Sequence, residues 1–319
     1  MKKTVFEIET LPEKLLKKEL KFKDINFVNG TLNAKNAKKY SETEIIICRI
    51  ESKIDKIVLD KMKNLKLIQL MSTGFNNIDI EECKKRNIKV CNIPAYSSEG
   101  VAEHSLALLF ALSRKIIKCN KALKNCKVNM PELIGFELRN KTIGILGTGR
   151  IGLHMAKLSK GIGMKVLAYD IYKNKTEAKN IGFQYVGLDK LYSKSNIISL
   201  HLPLNNKTKH LINRQSIKKL KDNVVLINTA RGELVETTAL LNALDSGKIM
   251  CAGLDVLEDD HNMCKNKKFE TKKVIMHSKV IATPHTAFNT EESVKVLLKE
   301  TAENIKRAGK NKELKYLLT

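Results

Sequence analysis

The segment from residue 140 to 285 alternates short β-branched apolar runs with helical patterns, and this alternation limits the possible folds most strongly. Helical stretches such as RIGLHMAKLSKGIG and TTALLNALDSGK separate the apolar runs. The strand candidates are KTIGILG, KVLAYD, NIISLHL, NVVLINT, MCAGLDV and KVIATPH. Continuous apolar strands that alternate with helices are typical of a parallel sheet covered on both faces. The segment therefore predicts a doubly wound α/β domain.

The first 95 residues carry a weaker version of the same pattern, which predicts a second, smaller α/β unit. Its strand candidates are TVFEIE, INFVNG, EIIICRI, LKLIQLM and IKVCNI, and its helical stretches are LPEKLLKKEL, DKMKN and IDIEECKKRN. One long helix, SEGVAEHSLALLFALSRKIIKCNKALKN, is expected between the units, and TEESVKVLLKETAENIKRAG is expected to return to the first unit. The polar segment HNMCKNKKFETKK is expected to be an exposed loop. A chain of 319 residues also favours two domains.

Composition excludes several classes of protein. The sequence has no apolar run of about 18 residues and no signal-peptide pattern, so we expect a cytoplasmic protein without a membrane partner. Its seven cysteines are scattered without a C-x-x-C pair, which favours reduced structural thiols and no metal site. The net charge of +24 comes mostly from lysines spread along the chain. Its basic stretches lack interleaved aromatic residues, so we expect no specific nucleic-acid partner.

A glycine motif, TIGILGTGRIG, follows the first strand of the larger unit and opens a helix. In this setting Gly147 permits a tight turn, Gly149 lets the backbone approach a pyrophosphate, and Gly152 permits close helix–strand packing. The amides of Arg150 and Ile151 lie at the helix N-terminus, where anions bind favourably. The motif predicts a dinucleotide site.

The next strand ends in LAYD, which places Asp170 where a carboxylate binds the adenosine ribose hydroxyls. Such a carboxylate repels a 2′-phosphate, so the predicted cofactor is NAD. Lys173 and Lys175 lie close by, and their charge is compatible with tolerance of a phosphate.

Two side chains at strand ends are the candidates for chemistry. Arg231 follows the strand NVVLINT, and a guanidinium there can clamp a carboxylate and carbonyl through paired hydrogen bonds. His285 follows the strand in KVIATPH, and histidine is the natural proton donor and acceptor near neutral pH. The carboxyl ends of parallel strands share one edge, so we expect both at the ligand crevice. Four other histidines are weaker candidates: His104, His154, His201 and His210.

These motifs together resemble the D-isomer-specific 2-hydroxyacid dehydrogenases. The specific elements are GILGTGRIG, LINTARGELVE, GLDVLEDD and TPHTAF. The resemblance implies a Rossmann NAD domain at 98–288 and a smaller flavodoxin-like substrate domain formed by 1–97 and 289–319, with a cleft between them. It also implies a homodimer.

The stretches GFNNID, PAYSSEGVAEH and LIGFELRNKTIGILGTGRIG are most similar to the D-lactate dehydrogenase branch of that family. This similarity implies that the amides of Thr73 and Gly74 hold a substrate carboxylate and that Tyr96 lines the pocket. On the cofactor side it implies contacts from Tyr172, Leu202, Pro203, Thr208, Thr229, Ala230 and Asp255. The implied reaction interconverts pyruvate and D-lactate. Glycerate, hydroxypyruvate or phosphoglycerate dehydrogenases and an NAD(H)-sensing binding protein remain alternatives.

The acidic segment LDVLEDDHN departs from the family pattern. Family members carry two glutamates in a D-V-x-E-x-E run. The resemblance gives the second glutamate the role of orienting the catalytic histidine. In this chain that position is Asp260, one methylene shorter. Glu258 is the reserve candidate and otherwise, with Asp259, an ordinary loop acid.

Overall fold

A computed structural model describes residues 1–258 and 269–319. The described chain divides into two compact units. The first combines Met1–Ser97 with Thr290–Thr319, and the second is Ser98–Asn289.

The first unit contains a five-stranded sheet in the order β2-β1-β3-β4-β5, and every pairing is parallel. This order is that of flavodoxin-like sheets, so the predicted flavodoxin-like unit is confirmed. The strands are β1 (Lys3–Val5), β2 (Ile25–Phe27), β3 (Ile45–Cys48), β4 (Leu67–Leu70) and β5 (Lys89–Cys91). The helices are α1 (Glu13–Glu19), α2 (Lys56–Asp60), α3 (Ile80–Lys85) and α12 (Glu291–Gly309).

Local sequence explains these elements. The β3 run IIIC and the β4 run LIQL are buried along their whole length, as expected of central strands covered on both faces. Asp55 and Asp79 precede α2 and α3, and their side chains accept hydrogen bonds from the amides of Val58 and Glu82. Thr290 caps α12 in the same way. Such caps satisfy helix amides that lack an intrahelical partner.

The second unit contains a seven-stranded sheet in the order β12-β11-β10-β9-β6-β7-β8, again parallel throughout. The predicted doubly wound sheet is confirmed. The strands are β6 (Thr142–Leu146), β7 (Lys165–Tyr169), β8 (Gln184–Tyr185), β9 (Ile197–Leu200), β10 (Val224–Asn228), β11 (Ile249–Leu254) and β12 (Val280–Ala282). The helices are α4 (Ser98–Ser113), α5 (Ile116–Lys124), α6 (Arg150–Gly161), α7 (Lys175–Ile181), α8 (Leu188–Lys194), α9 (Arg214–Lys219), α10 (Thr237–Asp245) and α11 (Phe269–Met276).

Strand β6 lies between β7 and β9, so successive connections leave it in opposite directions across the sheet. Ligands of open parallel sheets bind at such a reversal, outside the carboxyl ends of the strands. The loop that follows β6 is the glycine motif, and the loop that follows β9 begins at His201. The topology therefore opens a crevice beside the glycines.

The single long helix expected over residues 98–125 is wrong, because the structure divides it into α4 and α5. The Ser113 carbonyl accepts the amide of Phe136 at 2.8 Å, and Lys115 adopts the left-handed region with φ 52°. A distant segment thus takes a carbonyl that a continuous helix would use. Gly135 permits this approach, since a Cβ there would lie 2.2 Å from the Ser113 oxygen.

Two smaller expectations differ from the structure, and one short strand was not predicted. The end of the segment expected as a loop forms α11, whose Val274 is fully buried against the core. Its lysines obscure that apolar position in the sequence. Helix α2 ends at Asp60, so most of DKMKN lies beyond it, because the Asp55 cap starts the helix earlier. The edge strand β8 has two residues, too few to give a periodic pattern.

The described ranges contain no helix long and apolar enough to cross a membrane. Each cysteine within them is a free thiol. The same ranges hold no group of three or more His, Cys, Asp or Glu side chains that could bind a metal ion.

Candidate functional site

The carboxyl edge of the seven-stranded sheet carries the residues predicted for the cofactor and, with one exception, those predicted for catalysis. They lie in the loops that follow β6, β7, β9, β10, β11 and β12. The strands are parallel, so these loops emerge on one side of the sheet. The exception is Asp260, which lies outside the described residues.

The glycine loop has the backbone contacts that its motif requires. Gly147 has φ 93°, and a Cβ there would lie 2.5 Å from the carbonyl oxygen of His201. A Cβ on Gly152 would lie 1.9 Å from the Gly147 oxygen, whereas one on Gly149 would meet nothing within 4 Å. Helix α6 begins at Arg150 without a side-chain cap from Gly149. Its first amides are thus left for a ligand, and the loop fits a pyrophosphate.

Asp170 is fixed beside this loop. Its Oδ2 accepts the amide of Thr148 at 2.6 Å and the Thr148 hydroxyl at 3.1 Å. Its Oδ1 accepts the amide of Tyr172 at 2.9 Å, while the Tyr172 side chain is 82% exposed. A carboxylate has further lone pairs on each oxygen. The fixed Asp170 therefore fits the binding of ribose hydroxyls.

Hydrogen bonds also fix the other cofactor candidates. The Thr208 hydroxyl donates to the Pro203 carbonyl at 2.6 Å, and Leu202 packs against the main core. Thr229 is buried, and its hydroxyl oxygen lies 2.7 Å from that of Ser105. The Ala230 amide donates to Asn228 Oδ1 at 3.1 Å. These loops are therefore set in place by the protein itself.

Arg231 follows the end of β10 in an extended conformation. Its Nη1 donates to the Ala230 carbonyl at 2.6 Å, and its own carbonyl accepts Asn228 Nδ2 at 2.8 Å. The next residue, Gly232, packs against backbone, because a Cβ there would lie 2.0 Å from the carbonyl carbon of Leu257. The loop after β11 thus limits where the Arg231 loop can lie.

His285 follows β12 with φ 52°, and its amide donates to the Asp255 carbonyl at 2.9 Å. Strand β11 separates β10 from β12 in the sheet, so the strands that lead to Arg231 and His285 are about 10 Å apart. This spacing allows both side chains to reach one small molecule at the sheet edge.

The Asp255 side chain is fully buried and holds the His285 loop. Its Oδ1 accepts the Thr283 hydroxyl at 2.6 Å and the Thr286 amide at 2.9 Å, and its Oδ2 accepts the Ala287 amide at 2.9 Å. His104 Nε2 lies 3.0 Å from the Thr283 hydroxyl and 3.6 Å from Asp255 Oδ1. The sequence pointed to neither Thr283 nor His104 in this role. The position of Thr283 next to Pro284 and His285 was a signal for Thr283, and His104 had no comparable signal.

Glu258 is not the ordinary loop acid that the sequence suggested. Its Oε1 lies 2.6 Å from His210 Nε2, and its Oε2 accepts the Thr237 amide at 2.9 Å and the Thr237 hydroxyl. Burial raises the pKa of this carboxyl, but the hydrogen bonds from Thr237 and His210 outweigh it and hold the pKa below its usual value. Glu258 is therefore an ionised, partly buried group with partners far away in the sequence.

The residues predicted to bind the substrate carboxylate follow β4 in the first unit. The Thr73 hydroxyl donates to the Ile93 carbonyl at 3.1 Å, and Asn92 Nδ2 donates to the Thr73 carbonyl at 2.7 Å. The Ser72 hydroxyl donates to the Gly74 carbonyl at 2.7 Å. Among the described residues, neither the Thr73 amide nor the Gly74 amide donates to a protein acceptor. Both amides are therefore available to an anionic ligand.

Tyr96 is buried and lies near Arg49, which the sequence did not single out. Burial lowers the pKa of the Arg49 guanidinium, while Tyr96, Glu7 and Glu51 act in the opposite direction. Arg49 Nη1 also donates to the Thr10 carbonyl at 3.3 Å. The positive charge of Arg49 is thus balanced by acids of the same unit.

A family model described as D-isomer specific 2-hydroxyacid dehydrogenase, NAD binding domain, matches residues 106–287, more than half of the chain. The chain is 38% identical to the hydroxypyruvate reductase of Thermotoga maritima, over 83% of this chain and 84% of that protein.

Two solved structures are similar over nearly the whole chain. One belongs to work on the pyruvate reductase of Chlamydomonas reinhardtii, with a TM-score of 0.89, 32% identity and coverage of 99% of this chain and 98% of that one. The other is the D-lactate dehydrogenase of Aquifex aeolicus complexed with NAD and lactic acid. It has a TM-score of 0.86, 34% identity and coverage of 97% and 96%.

Proposed function

The chain belongs to the D-isomer-specific 2-hydroxyacid dehydrogenases, NAD-dependent oxidoreductases, and on this premise we propose that it interconverts pyruvate and D-lactate. The observation that carries the proposal is the placement of Arg231 and His285 after β10 and β12, at the edge that also bears the glycine loop. One side chain can clamp a carboxylate, and the other can move a proton.

In the proposed reduction, Arg231 binds the substrate carboxylate and polarises the carbonyl oxygen. The free amides of Thr73 and Gly74 also bind that carboxylate, and Tyr96 lines the pocket. His285 protonates the carbonyl oxygen, and in the reverse direction it accepts the hydroxyl proton. Bound NADH supplies the hydride. Asp260 orients the His285 imidazole.

The cofactor residues are assigned on the fit of the glycine loop and Asp170. The pyrophosphate binds at Gly147, Gly149 and Gly152 and at the amides of Arg150 and Ile151. Asp170 binds the ribose hydroxyls. We assign Ser98–Asn289 as the NAD domain and Met1–Ser97 with Thr290–Thr319 as the substrate domain. Further cofactor contacts are assigned to Tyr172, Leu202, Pro203, Thr208, Thr229, Ala230 and Asp255.

A small uncharged substrate side chain fits the residues near the Thr73 loop. Phe75, Asn76 and Tyr96 carry no charge, and the nearby Arg49 is balanced by acids of its own unit. Pyruvate matches this chemistry better than a substrate with a phosphate group. Hydroxypyruvate is the second candidate, and the 38% identity to a hydroxypyruvate reductase favours it.

The test is oxidation of NADH, and of NADPH in parallel, with pyruvate, hydroxypyruvate, glyoxylate and 3-phosphohydroxypyruvate. The highest kcat/KM with pyruvate and NADH, with D-lactate as the product, supports the proposal. A higher kcat/KM with another acid overturns the substrate assignment. Binding of NADH without turnover of any acid overturns the proposed activity and supports a sensing protein.

We propose further that the chain forms a homodimer through the surface around α5. Several large apolar side chains there are exposed, which is uncommon on a monomer surface when they cluster. They are Ile116, Ile117, Leu123, Val128, Met130 and Ile134. Light scattering should give twice the mass of 36.0 kDa, and Leu123→Glu should shift the protein toward the monomer. A monomeric unaltered protein overturns this proposal.

A further inference from the structure

One carboxylate joins three loops at the carboxyl edge of the seven-stranded sheet. Glu258 follows β11, and it pairs with His210, which follows β9, and with Thr237, the first residue of α10. Together these three residues form the three-loop clasp. His210 and Glu258 are 48 residues apart, and Glu258 and Thr237 are 21 residues apart.

The clasp completes a helix that its own flanking residue leaves uncapped. Helix α10 begins after Glu236, whose side chain makes no cap hydrogen bond. The Glu258 carboxylate instead accepts the Thr237 amide at 2.9 Å, and its negative charge lies at the positive end of the helix. The imidazole of His210 holds the other carboxylate oxygen at 2.6 Å. Both oxygens of Glu258 are therefore engaged by partners other than His285.

The same three loops also enclose the segment that carries Arg231. A Cβ on Gly232 would lie 2.0 Å from the Leu257 carbonyl carbon and 2.5 Å from the Glu258 nitrogen. The His210 amide donates to the Glu233 carbonyl at 2.7 Å. Backbone of both Glu258 and His210 thus contacts residues that immediately follow Arg231. A shift of either loop would move the guanidinium.

We propose that Glu258 and His210 are positioning residues for Arg231, acting through the backbone of Gly232 and Glu233. The inference rests on the proposed function, in which Arg231 binds the substrate carboxylate. It assigns the two acids of the segment different tasks: Glu258 fixes the arginine loop, and Asp260 serves the histidine. A displacement of about 1 Å at a reacting group is enough to lower a rate about a hundredfold.

The test is a double-mutant cycle on pyruvate reduction with Glu258→Ala and Arg231→Lys, measured alone and together. Glu258→Ala should lower kcat/KM about tenfold or more, mainly through KM for pyruvate, and leave the Kd for NADH within about twofold. In the Arg231→Lys background the same substitution should have a much smaller effect. A purely structural role would give the same fold loss in both backgrounds.

His210→Ala provides a second route if Glu258→Ala does not fold, and it should show the same dependence on Arg231. Asp245→Asn is the matched control, since Asp245 forms another carboxylate–histidine pair, with His277 at 3.3 Å, at the opposite end of α10. Asp245→Asn should leave KM for pyruvate unchanged.

The two levels of inference fail in different ways. Absence of turnover by the unaltered protein overturns the proposed function and the positioning roles together. Turnover by the unaltered protein, combined with equal losses in both Arg231 backgrounds, overturns the positioning roles alone.

Discussion

The buried carboxylate of Asp255 accepts the backbone amide of Ala287 at 2.9 Å, across 32 residues of sequence. The same carboxylate accepts the Thr283 hydroxyl and the Thr286 amide. His285 lies between these donors, so its loop is wrapped around one acid. Asp255 is therefore the group on which the placement of His285 depends in this structure.

Asp255→Asn should lower kcat for pyruvate reduction about tenfold or more and destabilise the fold by about 1–3 kcal/mol, because an amide nitrogen would face a backbone donor. Steady-state kinetics and urea unfolding measure the two effects. The exposed Asp222, which pairs with Lys248, provides the control variant Asp222→Asn. An unchanged kcat would contradict the role of Asp255 in placing His285, whereas the Kd for NADH tests the cofactor contact that is also assigned to Asp255.

Arg231→Lys should lower kcat/KM for pyruvate about ten- to a hundredfold, because a lysine cannot make the paired hydrogen bonds of a guanidinium. Affinity for NADH should stay the same. Arg214→Lys, on the exposed start of α9, is the matched control and should leave both values unchanged. Full activity of the Arg231→Lys variant would exclude the carboxylate-clamping role.

Gly152→Ala should weaken NADH binding and lower the free energy of unfolding by about 1–3 kcal/mol. The reason is the 1.9 Å separation between the added Cβ and the Gly147 oxygen, which forces the glycine loop to move. Gly161 lies at the other end of α6, and a Cβ added there would meet nothing within 4 Å. Gly161→Ala should therefore leave NADH binding unaltered. Fluorescence titration distinguishes the two, and equal affinities would contradict the role of the loop.

Asp260→Asn should lower kcat for pyruvate reduction about tenfold or more, because the proposed partner of His285 would no longer orient the imidazole for proton transfer. Glu258→Gln should instead act mainly on KM for pyruvate, since the Glu258 backbone contacts the Arg231 loop. Steady-state kinetics of the two variants separate these effects. If Glu258→Gln lowers kcat and Asp260→Asn does not, the assignment of the two acids is reversed.

His201 should make the fold sensitive to acid. Burial lowers the pKa of its imidazole from 6.5 to about 4, so the folded state favours the neutral ring. As the pH falls from 6.5 toward 4, the unfolded chain binds a proton that the folded chain does not, and stability is lost across that window. His201→Gln should reduce the fall in melting temperature between pH 7 and pH 5. An unchanged fall in melting temperature would contradict this role of His201.

Much of the site could be predicted because its signals are local. The apolar runs mark the strands, the spacing of Gly147, Gly149 and Gly152 marks the turn, and Arg231 and His285 stand just beyond strand ends. Parallel strands share a carboxyl edge, so order along the chain is enough to bring these residues to one side of a sheet.

The partners of the acids in LDVLEDDHN could not be predicted, since they come from distant segments. The sequence assigned Asp255 a cofactor contact, but it gave no sign that the Asp255 carboxylate accepts amides of the His285 loop. Glu258 resembled a loop acid until the fold brought His210 and Thr237 to it. The break between α4 and α5 has the same origin, because Phe136 takes the Ser113 carbonyl.

The sequence by itself determined the parallel sheets, the glycine turn and the chemical types available at the strand ends, because periodicity and turn geometry are properties of neighbouring residues. Only the tertiary structure decided which buried carboxylate serves which loop. A charged group removed from water must find hydrogen-bond donors wherever packing supplies them. For Asp255 and Glu258 packing supplies them from loops and from the start of one helix, 21 to 48 residues away.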